Sequence, residues 1–311
     1  RNRLLRESFS LSMSYRVLYI KDSEHLSLYL DNLKIETEKG DLKVPISDIQ
    51  TLIIDNNKTT LTTRLMNALT NNNVCTILCG VDHLPQTYIF PINGHYAQSG
   101  NLLKQIDWSD EIKAKLHKEI VKGKITNQMK IMSKHYCTDT SYANLKKFLE
   151  EIEDGDPGNR EGLAAKIYFR QMFGDGFIRF DSDVINAGLN YGYSIFRSLI
   201  SSIIISKGYL PNIGLFHKGR ENEFNLSDDL IEVFRPIVDD YVCTNMKDDI
   251  LFTSEHREAL IKLSTARVEF DHNTETISNA GTLYFESILK CIEKNSVDYF
   301  KYPDCNIRYD I

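Results

Sequence analysis

The hydrophobic period changes once along this chain, and few architectures accommodate such a change within one layer. Between 15 and 91 the apolar residues fall in short runs rich in branched side chains: RVLYI (16–20), LSLYL (26–30), LKIET (33–37), LKVPI (42–46) and TLIID (51–55). Asp31-Asn32 and Lys39-Gly40-Asp41 are turn signals between them, which predicts two hairpins. A short helix is expected over 62–71, and further strands over 74–79 (VCTILC) and 87–90 (TYIF). From Asp110 onward the spacing becomes helical and stays so. The expected fold class is therefore α+β, with a small N-terminal β-rich domain at 13–91 and a larger all-helical domain at 110–311. The stretch 92–109, punctuated by Gly and Asn, reads as the linker. Residues 1–12 (RNRLLRESFSLS), ahead of Met13, read as an expression scar.

Within the helical part, 183–206 is the most apolar helix, with Gly188 and Gly192 four apart to permit close packing, and it is the expected central helix. The segment 252–299 reads as amphipathic helix again. Six cysteines are scattered without a CxxC pair, which excludes a zinc ribbon and a disulfide framework. No apolar run is long enough to span a membrane, and a reducing cytoplasm is the expected location. The net charge of −6 excludes a polycation, so any nucleic-acid site must come from local clustering. Such a cluster exists: Asp110–Lys134 holds seven lysines against three acids, and Lys115, Lys118 and Lys122 share one helix face. A solvated face and a phosphate-binding stripe both account for it.

Two stretches carry candidate chemistry. In DPGNREGLAAKIYFRQMF (156–173), Asn159 is the expected N-cap, and Glu161 shares its face with Ala164, Ala165, Tyr168 and Met172. A first-turn glutamate serving the helix dipole would account for that position alone. In GLFHKGRENEFNLSDDLIEVFRPIVD (214–239), His217 and Arg220 lie in a loop, and Ser227 is the expected N-cap. Leu230, Val233, Phe234, Ile237 and Tyr241 then form an apolar stripe, flanked by Asp229 and Glu232 three apart, with a kink expected at Pro236. Carboxylates with one imidazole suit Mg²⁺ or Mn²⁺ better than zinc.

The segments EGLAAKIYF (161–169), NAGLNYGYSI (186–195), LFHKGR…LSDDLIEVFRP (215–236) and KITNQ (124–128) resemble the CRISPR-associated spacer-acquisition integrase/endonuclease, the "Cas-one" family. The resemblance covers essentially all of 13–311, and within the family the chain is similar to the Cas9-associated type II-A branch. It implies that the helical domain is catalytic and that Glu161, His217 and Glu232 are its catalytic and metal-binding residues, with Asp229 supporting them. Glu232 stands where many members carry Asp.

The implied reaction is attack by the 3′-OH ends of a short spacer duplex on phosphodiesters at the leader–repeat border of a CRISPR array. Water in place of the hydroxyl would give nuclease action. Mg²⁺ or Mn²⁺ is the implied cofactor, and Lys115, Lys118, Lys122 and Arg220 are the candidate DNA contacts. Implied partners are DNA, a second copy of the chain, a small Cas-two protein bridging two dimers, a Cas9-type effector and other type II-A adaptation proteins. A catalytically silent DNA-binding scaffold and a generic metal-dependent DNA nuclease remain open alternatives.

Overall fold

A computed structural model describes residues 16–308, except positions 23, 38, 39, 93, 94 and 136, and the reading of 1–12 lies outside the described residues. The chain divides into two compact units, Arg1–Pro91 and Ile92–Ile311.

The first unit comprises β1 (Arg16–Ile20), β2 (His25–Tyr29), β3 (Asn32–Thr37), β4 (Gly40–Pro45), β5 (Ile49–Ile54), β6 (Thr60–Leu61), α1 (Thr63–Asn71), β7 (Cys75–Cys79) and β8 (Pro85–Ile89). They form two four-stranded sheets, ordered β4-β3-β2-β6 and β1-β5-β7-β8. Both expected hairpins are present as antiparallel β2–β3 and β3–β4 ladders. The first turns on Leu30 and Asp31, both at positive φ, one residue earlier than the Asp31-Asn32 signal suggests. Thr62 caps α1 by accepting a hydrogen bond from the Leu65 N–H. The helix then packs against β2 and β7, burying Leu65 and Leu69 with Leu26, Leu33 and Leu52.

The second unit holds α2 (Gln98–Ile106), α3 (Asp110–Lys134), α4 (Asp139–Glu151), α5 (Arg160–Phe173), α6 (Val184–Ser206), α7 (Asn225–Ile231), α8 (Arg235–Asn245), α9 (Ser254–Leu263), β9 (Arg267–Phe270), β10 (Asn273–Thr276), α10 (Ile277–Lys294) and β11 (Asp304–Arg308). The expected linker thus carries α2 and belongs to this unit. Helix α6 packs against α7, α8, α9 and α10. Its glycines are there for close approach: a Cβ on Gly188 would stand 2.6 Å from Met246 Cε, and one on Gly192 would overlap Val238 Cγ1.

Three expectations need correction. The second unit is not all helical, because β10, β9 and β11 form a three-stranded sheet, with β9 and β10 inside the 252–299 segment read as amphipathic helix. The cause is local: Val268 and Phe270 are buried, Arg267 and Glu269 are not, and Asp271 and His272 take positive φ to close a hairpin. Ser227 is not a cap; α7 begins two residues earlier, and the Ser227 hydroxyl is buried 2.8 Å from that of Ser201. Pro236 does not kink one long helix. It sits in the first turn of a new one, where its missing N–H costs nothing, so α7 and α8 are separate helices with Glu232 at their junction.

Among the described residues, no helix is long and apolar enough to cross a membrane, and all six cysteines are free thiols.

Candidate active site

The turn before α5 is built to fix the start of that helix. Asp156 is buried and accepts hydrogen bonds from the Arg160 and Glu161 N–H groups, each at 2.9 Å. Asn159, at φ +50°, takes the Gly162 N–H as its N-cap. Glu161 is thereby held in the first turn, above the buried Ala164 and Tyr168, on the face that meets α3.

A second set of backbone bonds shapes the loop after α6. The Asp229 carboxylate, only 3% exposed, accepts the N–H groups of Leu215 (2.6 Å), Phe216 (3.0 Å) and His217 (3.0 Å). The same carboxylate lies 2.7 Å from His217 Nδ1. This bond raises the His217 pKa above its ordinary value, against an opposing pull from partial burial. With Nδ1 engaged, Nε2 is the ring nitrogen left for a ligand.

Glu232 is 8% exposed at the α7–α8 junction, with Oε1 2.9 Å from Arg235 Nε and Oε2 2.5 Å from Lys124 Nζ. Burial pushes its carboxyl up, but the charges of Arg235 and Lys124 together outweigh that, and its pKa falls from 4.5 to about 2. The Lys124 ammonium is also 2.5 Å from Glu161 Oε1, so it bridges the two carboxylates. Burial alone would lower the Lys124 pKa, yet the two glutamates raise it above its usual value. Despite the short ion-pair distance, no donor is aligned on Glu232 Oε2 in hydrogen-bond geometry.

Glu161, His217, Asp229 and Glu232 therefore line one pocket of about 10 Å³, with His117 and Phe216 among its other walls. His117 stacks on Phe216 with ring centroids 3.4 Å apart, and its Nε2 is 3.9 Å from Glu161 Oε2. Burial lowers its pKa, more than the nearby carboxylates raise it, and its Nδ1 has no partner. As they stand, no three His, Cys, Asp or Glu side chains among the described residues are gathered closely enough to hold a metal. Lys124 lies between two of the expected ligands, and Asp229 draws in the third.

Each of the seven lysines of α3 has a carboxylate partner: Lys115 with Glu111, Lys118 with Asp154, Lys122 with Glu119, and the others with Asp110, Glu161 and Glu232, Asp304 and Asp240. Arg220 is exposed in the turn before α7.

Sequence reasoning misses His117, Lys124 and Arg235. His117 and Lys124 lie two turns apart on one face of α3, the face turned to Glu161. That alignment is readable from the spacing, but in a run of seven lysines nothing marks Lys124 as different from its neighbours.

The family model described as CRISPR associated protein Cas1 matches residues 18–265. The chain belongs to the Cas1 family. A CRISPR-associated endonuclease Cas1 of Neisseria meningitidis serogroup C (strain 8013) is 35% identical over 227 residues, which are 73% of this chain and 74% of that protein. Among solved structures, a chain of a Cas6-RT-Cas1–Cas2 complex superposes with a TM-score of 0.75 at 16% identity, covering 95% of this chain and 37% of its own. A casposase bound to integration product superposes with a TM-score of 0.73 at 18% identity, covering 95% and 96%. At these identities the structural likeness speaks for the fold, which is that of Cas1.

Proposed function

We propose that this Cas1-family chain is a metal-dependent DNA endonuclease and integrase of CRISPR adaptation, acting through the pocket of Glu161, His217 and Glu232. The observation that carries the reading is their meeting: α5, the loop after α6 and the α7–α8 junction contribute two carboxylates and one imidazole to one wall set. Hard oxygen donors with one nitrogen fit Mg²⁺ or Mn²⁺. A cation already stands between the two carboxylates, and Glu232 Oε2 has no aligned donor, so the donor set suits a divalent ion. Held by Glu161, His217 and Glu232, that ion would supply positive charge to the scissile phosphate and its developing oxyanions.

The remaining chemistry lies in the chain itself. Asp229 fixes the His217 ring and the backbone that carries it. Arg235 keeps Glu232 ionised despite burial. His117 and Phe216 form a largely apolar stacked wall that limits water beside Glu161.

The substrates would be a short spacer duplex, whose 3′-OH groups attack, and the leader–repeat border of a CRISPR array. Water as the nucleophile gives cleavage instead. The relative named as an endonuclease, and the casposase neighbour caught with its integration product, support this pairing of activities. A homodimer, with Cas2 bridging two such dimers, is proposed with support from the complex that contains Cas1 and Cas2. The type II-A branch, with a Cas9-type effector and other adaptation proteins as partners, rests on the motif resemblance. Lys115, Lys118, Lys122 and Arg220 are the proposed backbone contacts, and the three lysines would exchange acidic partners for phosphates.

The test is strand transfer of a labelled 3′-OH duplex into a plasmid bearing a leader and repeat, with Mn²⁺ present. Wild-type protein should integrate at the repeat border, and Glu161→Ala should not, while still retaining DNA. Equal integration by Glu161→Ala would overturn the site. Cleavage with no preference for the repeat would favour a generic nuclease.

A further inference from the structure

Lys124 is the residue whose placement the proposed reaction leaves unexplained. It is 8% exposed, on α3, with its ammonium 2.5 Å from Glu161 Oε1 and 2.5 Å from Glu232 Oε2. These two carboxylates come from different elements and would repel each other across the pocket if left alone. The other six lysines of α3 have carboxylate partners outside the pocket. Only this one reaches the two carboxylates assigned to the metal.

Resting on that metal reading, we propose that Lys124 is a tethered cation that holds Glu161 and Glu232 in place without metal, and that an entering divalent ion must displace it. Three observations converge. The ammonium bridges both carboxylates, as a single ion between them would. Glu232 Oε2 is engaged by the Lys124 ammonium while Oε1 faces Arg235, so moving the ammonium frees Oε2 for another cation. The ammonium stands 2.5 Å from one oxygen of each glutamate, so an ion held between those same two oxygens and the ammonium cannot share that position.

Two consequences follow for Lys124 as a positioning residue. First, the site is preorganised before metal arrives, since the ammonium offsets the repulsion between the half-buried Glu161 and the buried Glu232. Second, metal affinity is set by competition with the ammonium, because binding must break two ion pairs as it forms new bonds. Removing the charge should therefore tighten metal binding while loosening the metal-free protein, a pair of opposite effects that no purely structural lysine would give.

Lys124→Met keeps the stem and removes the charge. Titration with Mn²⁺, followed by the loss of the free-ion electron paramagnetic resonance signal, should show binding at least tenfold tighter than in wild type. Its thermal midpoint without metal should fall, and the rise on adding Mn²⁺ should exceed that of wild type. Equal or weaker Mn²⁺ binding by folded Lys124→Met would overturn the proposal. If Lys124→Met does not fold, wild-type protein labelled with ¹⁵N at lysine answers the same question. The slowly exchanging ammonium resonance of Lys124 should shift or broaden on saturation with Mg²⁺, and a resonance unmoved by bound Mg²⁺ would overturn the idea. A wild type that binds neither ion, with Glu161→Gln and Lys124→Met behaving alike, would instead defeat the metal reading on which the proposal rests.

Discussion

Replacing Asp229 by Asn removes one charge and changes almost no volume, so its effect reports the hydrogen bonds and the charge rather than packing. The carboxylate meets four donors: the N–H groups of Leu215 and Phe216 on Oδ2, and the N–H of His217 with its ring Nδ1 on Oδ1. An asparagine has one acceptor oxygen. Turned toward His217, it sets its NH₂ against the Leu215 and Phe216 donors, and neither bond survives. Turned the other way, it sets its NH₂ against the His217 N–H, and the ring can be satisfied only by moving its proton to Nε2. That tautomer blocks the nitrogen proposed to meet metal.

A buried donor left unpaired costs about 1–3 kcal/mol. The loop is partly open to water, so the lower end applies, and one or two broken bonds give a destabilisation of about 1–3 kcal/mol. Removing the partner behind a metal-ligating histidine typically weakens metal binding about 10–100-fold. Urea unfolding and Mn²⁺ titration of Asp229→Asn should therefore both move. Stability within about 0.5 kcal/mol of wild type, the range of an uninvolved surface change, together with unchanged Mn²⁺ affinity, would refute the argument.

Other perturbations have defined signs. Burial pushes the Asp239 carboxyl up from 3.8 to about 7, although Tyr193 donates to it. A raised carboxyl favours the folded state most below the unfolded pKa, so its contribution is lost as pH climbs from about 4 to about 7. Relative to Asp239→Asn, the wild type should lose stability over that window, and a constant difference would reject the assignment. Changing Lys115, Lys118 and Lys122 together to Gln should lower the salt slope of duplex binding by about 0.9 for each phosphate that is no longer neutralised. An unchanged slope would leave them as the ion-pair partners of Glu111, Asp154 and Glu119. Gly192→Ala should destabilise by about 1–3 kcal/mol through overpacking against Val238, despite the better helix propensity of alanine. A more stable Gly192→Ala protein would contradict the close α6–α8 packing.

Much of the architecture is legible where local signals and burial agree. The short helix α1, the α5 cap at Asn159 and the glycines of α6 are readable because each acts within one or two turns, or by being small. The β9–β10 hairpin escapes because RVEF is short and its turn uses Asp271 and His272, neither of them the usual glycine. The α7–α8 break escapes because Leu230, Val233, Phe234 and Ile237 keep helical spacing across it, and the spacing does not register a change of axis. In the site, residue types and order point to Glu161, His217 and Glu232. What a linear reading lacks is the α3 contribution: His117 and Lys124 acquire meaning only when α3 is laid against α5. The excess of positive charge on α3 is met partly within the helix, by Asp110, Glu111 and Glu119 one turn from Lys113, Lys115 and Lys122, and partly by carboxylates of other segments.

The central claim is that one divalent ion binds where Glu161, His217 and Glu232 meet. Crystals soaked in Mn²⁺ and measured near its absorption edge test this directly, because anomalous scattering locates the ion without assumption. The expected result is a single strong peak among those three side chains, with the Lys124 ammonium moved out of its bridging position, and no such peak in Glu161→Ala. A peak elsewhere, or none at this pocket under conditions that support strand transfer, would contradict the account.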